Sequence, residues 1–278
     1  MKTTKHLSIL SLAVVGALYG ASPALATPLL GSAQSFAVLG ASTVTNTGST
    51  TIWGNLGVDP GSAITGFPPG AVTPPGAIYG PGGVSNLAQS AALNAYNVLF
   101  NLPYAYDLTG QDLGGRTLQP GVYHFDTTAG LTGTLTLDAL NNPDALFVFQ
   151  IGSALTTASS SVVNVLNGGT NNGVFWQVGS SATLGGSTVF AGNIIANQSV
   201  TMVTAAKILC GRAIALNGAV TMDTNTISND CASYNGGTDI SDYGSTGFSG
   251  YQPVPEPATL ALLGLGLAGL GFSRRRHG

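Results

Sequence analysis

Between about residues 131 and 228, apolar residues come in short runs that alternate with polar ones, and Gly, Asn or Ser closes each run. A period of two over three to six residues predicts half-buried strands rather than helices. The runs align with one another. Phe147–Gly152 matches Val174–Gly179, and Gly192–Asn197 and Arg212–Asn217 hold the same place later in the chain. A second run follows each: Ala154–Thr156, Ala182–Leu184, Val200–Met202 and Val220–Met222. A third follows in most: Val162–Val165, Ser187–Phe190 and Ala206–Leu209. Thr156, Thr183, Thr201 and Thr221 are separated by 27, 18 and 20 residues, and Thr136 lies 20 before the first. Three strands in about twenty residues predict a parallel β-solenoid. The Asn167–Gly173 segment supplies the insertion that the longest interval needs. A β-sandwich shares this rhythm of strands and turns and is the rival architecture.

One segment departs from the pattern. Ser85 to Leu102 lacks Gly, and Leu87, Ala91, Ala95, Val98, Leu99 and Leu102 recur at helical spacing. This predicts one helix over about 86–102, capped by Ser85, stopped by Pro103 and lying against the stack. The Pro/Gly-rich stretch from Gly66 to Gly83 reads as a loop or cap.

Alternation also sets which side chains face out. In the second strands, Leu155, Ala182, Leu184, Val200, Met202, Val220 and Met222 point inward. The outward rows are then Ala154, Thr156 and Ala158; Ser181, Thr183 and Gly185; Ser199, Thr201 and Val203; Ala219, Thr221 and Asp223. Stacked about 4.8 Å apart, they make a flat grid of small side chains with a threonine column down its middle. Such a face offers no pocket.

Both ends look like addresses. Residues 1–26 run from Lys2 and Lys5 through an apolar core to Ala24-Leu25-Ala26, the order of a secretory signal peptide cut by signal peptidase. Val254-Pro255-Glu256-Pro257 precedes an apolar stretch to Phe272 and then Arg274-Arg275-Arg276. At 15 residues that stretch is short for a free-standing span, and its flanking arginines would stay cytoplasmic. Residues 233–253, rich in Gly, Ser, Asp and Tyr, read as a flexible linker. This leaves 27–232 as the folded domain. Its two cysteines, Cys210 and Cys231, are an even count in an exported chain and suggest one disulfide.

Composition narrows the function. Only 7% of the chain is charged. Residues 27–253 carry three basic residues, Arg116, Lys207 and Arg212, against ten aspartates, so no basic patch for nucleic acid can form. A metal site is not expected, because the cysteines lack histidine partners. Nor is a cofactor. Asp126, Asp138 and Asp144 form the one close acidic set, and they read as turn residues. Arg116 and Arg212 read as structural, and His124 as a packed or surface residue. The chain is therefore expected not to be an enzyme, a polysaccharide-acting β-helix enzyme being the second alternative.

The C-terminal segment resembles the PEP-CTERM sorting signal, carried by Pro255, Glu256, Pro257 and the three arginines. The resemblance implies recognition by an exosortase, removal of the tail, and delivery to the outer surface or matrix of a Gram-negative bacterium. Ser35–Gly40, Thr43–Gly48, Gly54–Val58, Gly66–Gly70, Leu118–Tyr123, Val174–Gly179 and Asn217–Asp223 are similar, in order, to the signatures of the microbial ice-binding family. That resemblance implies a right-handed, discontinuous parallel β-solenoid of triangular cross-section with one long flanking helix. It also implies N-terminal strands that join the stack out of sequence order, and adsorption to an ice crystal surface. The family's Thr–Ala/Gly–x–Thr/Asn motif fits Thr47-Gly48-Ser49-Thr50 fully, and Thr157–Ser160 and Thr204–Lys207 in part. The expected ice-binding residues are then Ala154, Thr156, Ala158, Ser181, Thr183, Ser199, Thr201, Val203, Ala219, Thr221, Thr47 and Thr50. Lys207 and Asp223 are charges that such a face would avoid. The alternative is a non-catalytic surface adhesin or matrix protein. A solenoid with covered ends has no open edge, so a monomer is expected.

Overall fold

In the computed structural model, residues 29–142, 144–168 and 172–229 are described. The signal peptide, Cys231, the linker and the sorting segment lie outside these residues. Every strand pairing is parallel, which excludes the sandwich, because sandwich sheets are antiparallel. The strands form three walls of a solenoid.

The first wall runs through Gly121–Phe125, Leu146–Ile151, Gly173–Val178 and the second halves of Val189–Ala196 and Lys207–Ala215. Phe36–Gly40 and Asn55–Val58 then continue it. Its residues are buried on both sides, so they read as unbroken apolar runs. Inside, Tyr123, Phe149 and Trp176 stack in sequence, with centroids 5.4 and 3.9 Å apart, and Phe190 packs tilted against Trp176 at 4.8 Å. The Trp176 indole donates to the Ala191 carbonyl at 3.0 Å, so this polar group is satisfied within the core.

The outer side of the first wall is covered by α1, Gly83–Phe100. Ala88, Ala92, Ala95 and Leu99 are fully buried against Phe36, Leu39, Val148, Phe175, Ile195 and Ile214. The expected face holds except at one position: Ala95 and Leu99 are buried and Ala91, Val98 and Leu102 pack beside them, but Leu87 is 62% exposed and Ala88 and Ala92 take its place, small enough to let the helix backbone lie close to the sheet. Ser85 is not the cap. It is buried inside the helix, which begins after Gly82 at φ 80°. Asp59 fixes that start by accepting from the Gly82 N–H at 2.7 Å and the Asn86 amide at 3.0 Å. At the far end the buried Gln150 amide donates to the carbonyls of Leu99, at 2.8 Å, and Leu102, at 2.8 Å, meeting acceptors that a helix end leaves open.

The third wall contains Thr134–Asp138, Val162–Leu166, Thr226–Ser228, Thr51–Trp53 and Ala71–Thr73. Two long strands bend from this wall into the first. Residues 192–197 and 212–217 are offset by one from the alignment read in the sequence, because Asn193 pairs with Arg212. The reason is a residue added at the following corner: Ala196 lies opposite Ala215, but Val200 lies opposite Val220. A bulge precedes it in the same strand: Phe190 pairs with Ile208 but Gly192 with Gly211, and Cys210 within it stands at φ 62°. The backbones pack so closely here that a Cβ on Gly211 would lie 1.9 Å from the Gly192 carbonyl oxygen. Cys210 is buried and is not a free thiol, and its expected pairing falls on Cys231, outside the described residues.

Arg212 is fully buried and structural, as expected. It donates to the Gln34 carbonyl, from Nε at 3.0 Å, and to the Asn193 side chain at 2.7 Å. It thereby ties the N-terminal segment to the stack.

Candidate functional site on the threonine wall

The second wall is a separate seven-stranded parallel sheet. Its order is Ala129–Leu131, Leu155–Thr157, Ala182–Leu184, Val200–Met202, Val220–Asp223, Thr43–Thr47 and Ala63–Thr65. The N-terminal strands enter after Val220–Asp223, out of chain order. Inward, Leu155, Ala182, Leu184, Val200, Met202, Val220, Met222 and Val44 are buried, as the alternation requires.

Outward, the register lines up Gly130, Thr156, Thr183, Thr201, Thr221, Thr45 and Thr65. Six adjacent strands therefore carry threonine at one position. Thr156, Thr221, Thr45 and Thr65 are exposed, and Thr183 and Thr201 half-exposed. Thr136, which spacing placed at the head of this column, lies on the third wall opposite Thr117 and Asn164; Gly130 holds that place instead. Spacing misled here because a residue count does not say which corner of the coil the chain has reached. Thr45 and Thr65, and Thr43 beside them, were missed as members of the grid. Their signal was present in the Thr43-Val44-Thr45 and Ala63-Ile64-Thr65 alternations, which only the out-of-order insertion makes adjacent to Thr221.

A flanking column holds Ala154, Ser181, Ser199, Ala219, Thr43 and Ala63, all small. Its serines are fixed. The Ser181 hydroxyl accepts from the Ser199 N–H at 3.3 Å, and the Ser199 hydroxyl from the Ala219 N–H at 3.2 Å. The other flank holds Ala158, Val203, Asp223 and Thr47. Here the motif match fails in part. Thr47 is exposed, but Thr50 is only 1% exposed, and its hydroxyl accepts from the Asn225 N–H at 2.9 Å. Thr50 is therefore not on the face. Thr157 is buried too, its hydroxyl 2.8 Å from that of Thr188 and accepting from the Gly185 N–H.

The two suspected charges separate. Lys207 is not on this wall: it sits on the third, between Val189 and Thr226. Asp223 stands at the edge of the grid. The hydroxyl of Thr204, and then those of Thr224 and Thr47, hold its carboxyl below the usual range, so it is ionised at neutral pH.

Threonine is stiff at its first torsion, and these threonines sit on a hydrogen-bonded sheet. The wall thus presents ordered hydroxyls and methyls at one repeat, with little entropy left to lose on contact. The other candidate groups are dispersed. Asp138 accepts from the Leu140 N–H at 3.0 Å and the Asn167 amide at 2.8 Å. Arg116 binds the Asp112 carbonyl and Gln111. Among the described residues there is no group of three or more His, Cys, Asp or Glu side chains that could hold a metal.

Residues 38–228 match the Ice-binding-like family, and residues 253–276 match the PEP-CTERM protein-sorting motif. An ice-binding protein of Nostoc sp. (strain HG1) is 49% identical over 274 residues, 98% of this chain and 96% of that one. The crystal structure of an ice-binding protein from the Antarctic ascomycete Antarctomyces psychrotrophicus superposes with a TM-score of 0.68 at 39% identity, covering 72% of this chain and 97% of its own. The ice-binding domain of Shewanella frigidimarina ice-binding protein 1 gives 0.66 at 29% identity, covering 73% and 97%.

Proposed function

This chain belongs to the Ice-binding-like family, and from that premise we propose that it is an exported protein that adsorbs to ice through the threonine wall. The observation that carries the assignment to this wall is the column of six threonines in register on six adjacent strands. Water bridging those hydroxyls is held in a two-dimensional array, and the methyls between them favour caged solvent over bulk. The rung spacing, about 4.8 Å, is of the order of ice lattice repeats, so register persists across the wall. The face comprises Thr156, Thr183, Thr201, Thr221, Thr45 and Thr65, with Ala154, Ser181, Ser199, Ala219 and Thr43 beside them and Ala158, Val203 and Thr47 on the far flank.

The sorting segment supports export, exosortase recognition and a place on the outer surface or in the matrix of a Gram-negative bacterium. Signal peptidase would act at the other end. The folded domain acts as a monomer and without catalysis: Arg116 and Asp138 hold turns and loops. Growing a single ice crystal in the protein's presence tests the reading. A faceted crystal and a gap between melting and freezing are expected; a round disc with no gap would reduce the protein to a matrix component or adhesin.

A further inference from the structure

The first wall ends, past the C-terminus of α1, in a groove of about 500 Å³. Gln150 and Gln177 form its buried floor, His124 and Tyr104 one side, and Phe100 and Asn101 its lip. The exposed aromatic side chains among the described residues, Phe100, Tyr104 and Tyr106, all lie at this end, at 60%, 53% and 47% exposure. Two are locked in plane. Tyr104 stacks on His124 at 4.3 Å and 14°, and Tyr106 on Tyr123 at 5.0 Å and 19°. Tyr104 lines the groove, backed by His124, whereas Tyr106 continues the interior aromatic row beyond Tyr123 and does not line the groove. His124 also carries an unsatisfied atom: Nε2 lies 3.0 Å from Asp126, while Nδ1 is buried without a partner. A buried nitrogen of this kind points to a group that the bare protein does not supply.

We propose that this groove is a binding site for neutral pyranose rings. A pyranose has a flat face of C–H groups and a rim of hydroxyls, which matches the His124-backed plane of Tyr104 and the ring of Phe100 beside the amides of Asn101, Gln150 and Gln177. Charge decides against the other polymers. No charged residue occurs from Gly61 to Tyr106, and the neighbouring acidic residues, Asp107 and Asp126, disfavour uronate and phosphate polymers. The groove lies on a different wall from the threonine column, with the corner at Gly152 between them, and the inference does not rest on adsorption to ice.

Affinity electrophoresis tests it. The protein is run through native gels containing dextran, laminarin or galactomannan, and through gels containing alginate. At least one neutral polymer is expected to retard it, with alginate inert. Tyr104→Ala should weaken retardation about tenfold, the loss of one aromatic contact, and Phe100→Ala should also weaken it. Leu93→Ala, on the exposed side of α1, and Thr201→Tyr should leave it unchanged. Release by excess glucose would assign the ligand to single sugars, and release only by fragments of the polymer would assign it to a chain; both uphold the site. Failure of every neutral polymer to retard the protein, equal retardation by alginate, or insensitivity to both aromatic substitutions would overturn it. Unchanged melting temperatures of the variants keep misfolding apart from lost binding.

Discussion

Thr201→Tyr puts a large side chain at an inner position of the threonine column, between Thr183 and Thr221. Its ring stands above the neighbouring methyls and hydroxyls by more than one hydrogen-bonded water layer, about 2.8 Å. Ice docked on the wall must lift off around it. The matched run of six threonine strands spans about 24 Å, and the longest run left, Thr221–Thr45–Thr65, spans about 10 Å. Less than half of the register survives, so thermal hysteresis at equal concentration should fall by more than half. The fold should not notice. Thr201 is half-exposed, tyrosine suits strands, and surface substitutions usually change stability by no more than about 0.5 kcal/mol, a shift in melting temperature of about 2 °C or less. Thr183→Tyr leaves a longer run, Thr201 to Thr65, about 14 Å, and should reduce hysteresis by less. Thr226→Tyr, on the third wall, is the control and should leave hysteresis unchanged. Unaltered hysteresis in both Thr201→Tyr and Thr183→Tyr, or a loss confined to Thr226→Tyr, would refute the choice of wall.

Thr45→Tyr should also lower activity, although it lies far away in the chain, because it stands beside Thr221; it leaves the run Thr156–Thr221, about 14 Å, so the loss should be smaller than for Thr201→Tyr, and nanolitre osmometry of the purified variant checks this. Asp223→Asn keeps an acceptor for Thr204 and removes a charge from the grid's edge, so hysteresis at neutral pH should rise modestly. Asp107, held by the Thr109 hydroxyl and N–H, Asp138, held by Asn167 and the Leu140 N–H, and Asp223 all have lowered pKa values. The native state thus binds fewer protons at these sites than the unfolded chain. Their contribution is complete above the ordinary carboxylate value near 4 and is lost as pH falls through the folded values, so calorimetry should give a melting temperature flat from about pH 7 to 5 on their account and falling below about pH 4. Arg212→Ala should destabilise the domain by about 3 kcal/mol or more, since charged hydrogen bonds are lost and the Gln34 carbonyl and Asn193 side chain are stranded; denaturant unfolding measures it, and ice shaping at low temperature should persist.

The solenoid was legible because its strands are cut to one pattern. Alternation alone set Leu155, Val200 and Met222 inward and Thr156, Thr201 and Thr221 outward, and the structure places them so. What sequence order hid was adjacency. Thr45 and Thr65 join the column only because an N-terminal strand enters beside Val220–Asp223, and no local spacing encodes that long-range pairing. Thr136 shows the opposite error, a correct interval carried onto the wrong wall. Thr50 shows a third: a motif matched letter by letter includes a threonine that turns inward at a corner, where the Asn225 N–H needs an acceptor. In α1 the helical period and most of the buried face were read correctly, with Leu87 the exception. A leucine attracts the eye as core, yet near the helix start the close-packed sheet surface takes Ala88 and Ala92 and leaves Leu87 outside, while Leu99 is buried at the far end.

The central claim is that ice itself is the ligand of the threonine wall. Slow freezing of a dilute solution onto a cold finger, followed by quantitation of protein in the ice and the remaining liquid, addresses it most directly. Wild-type protein should concentrate in the ice fraction, and Thr201→Tyr should shift towards the liquid while Thr226→Tyr does not. Exclusion of the wild type from the growing ice, or equal incorporation of all three proteins, would contradict the account.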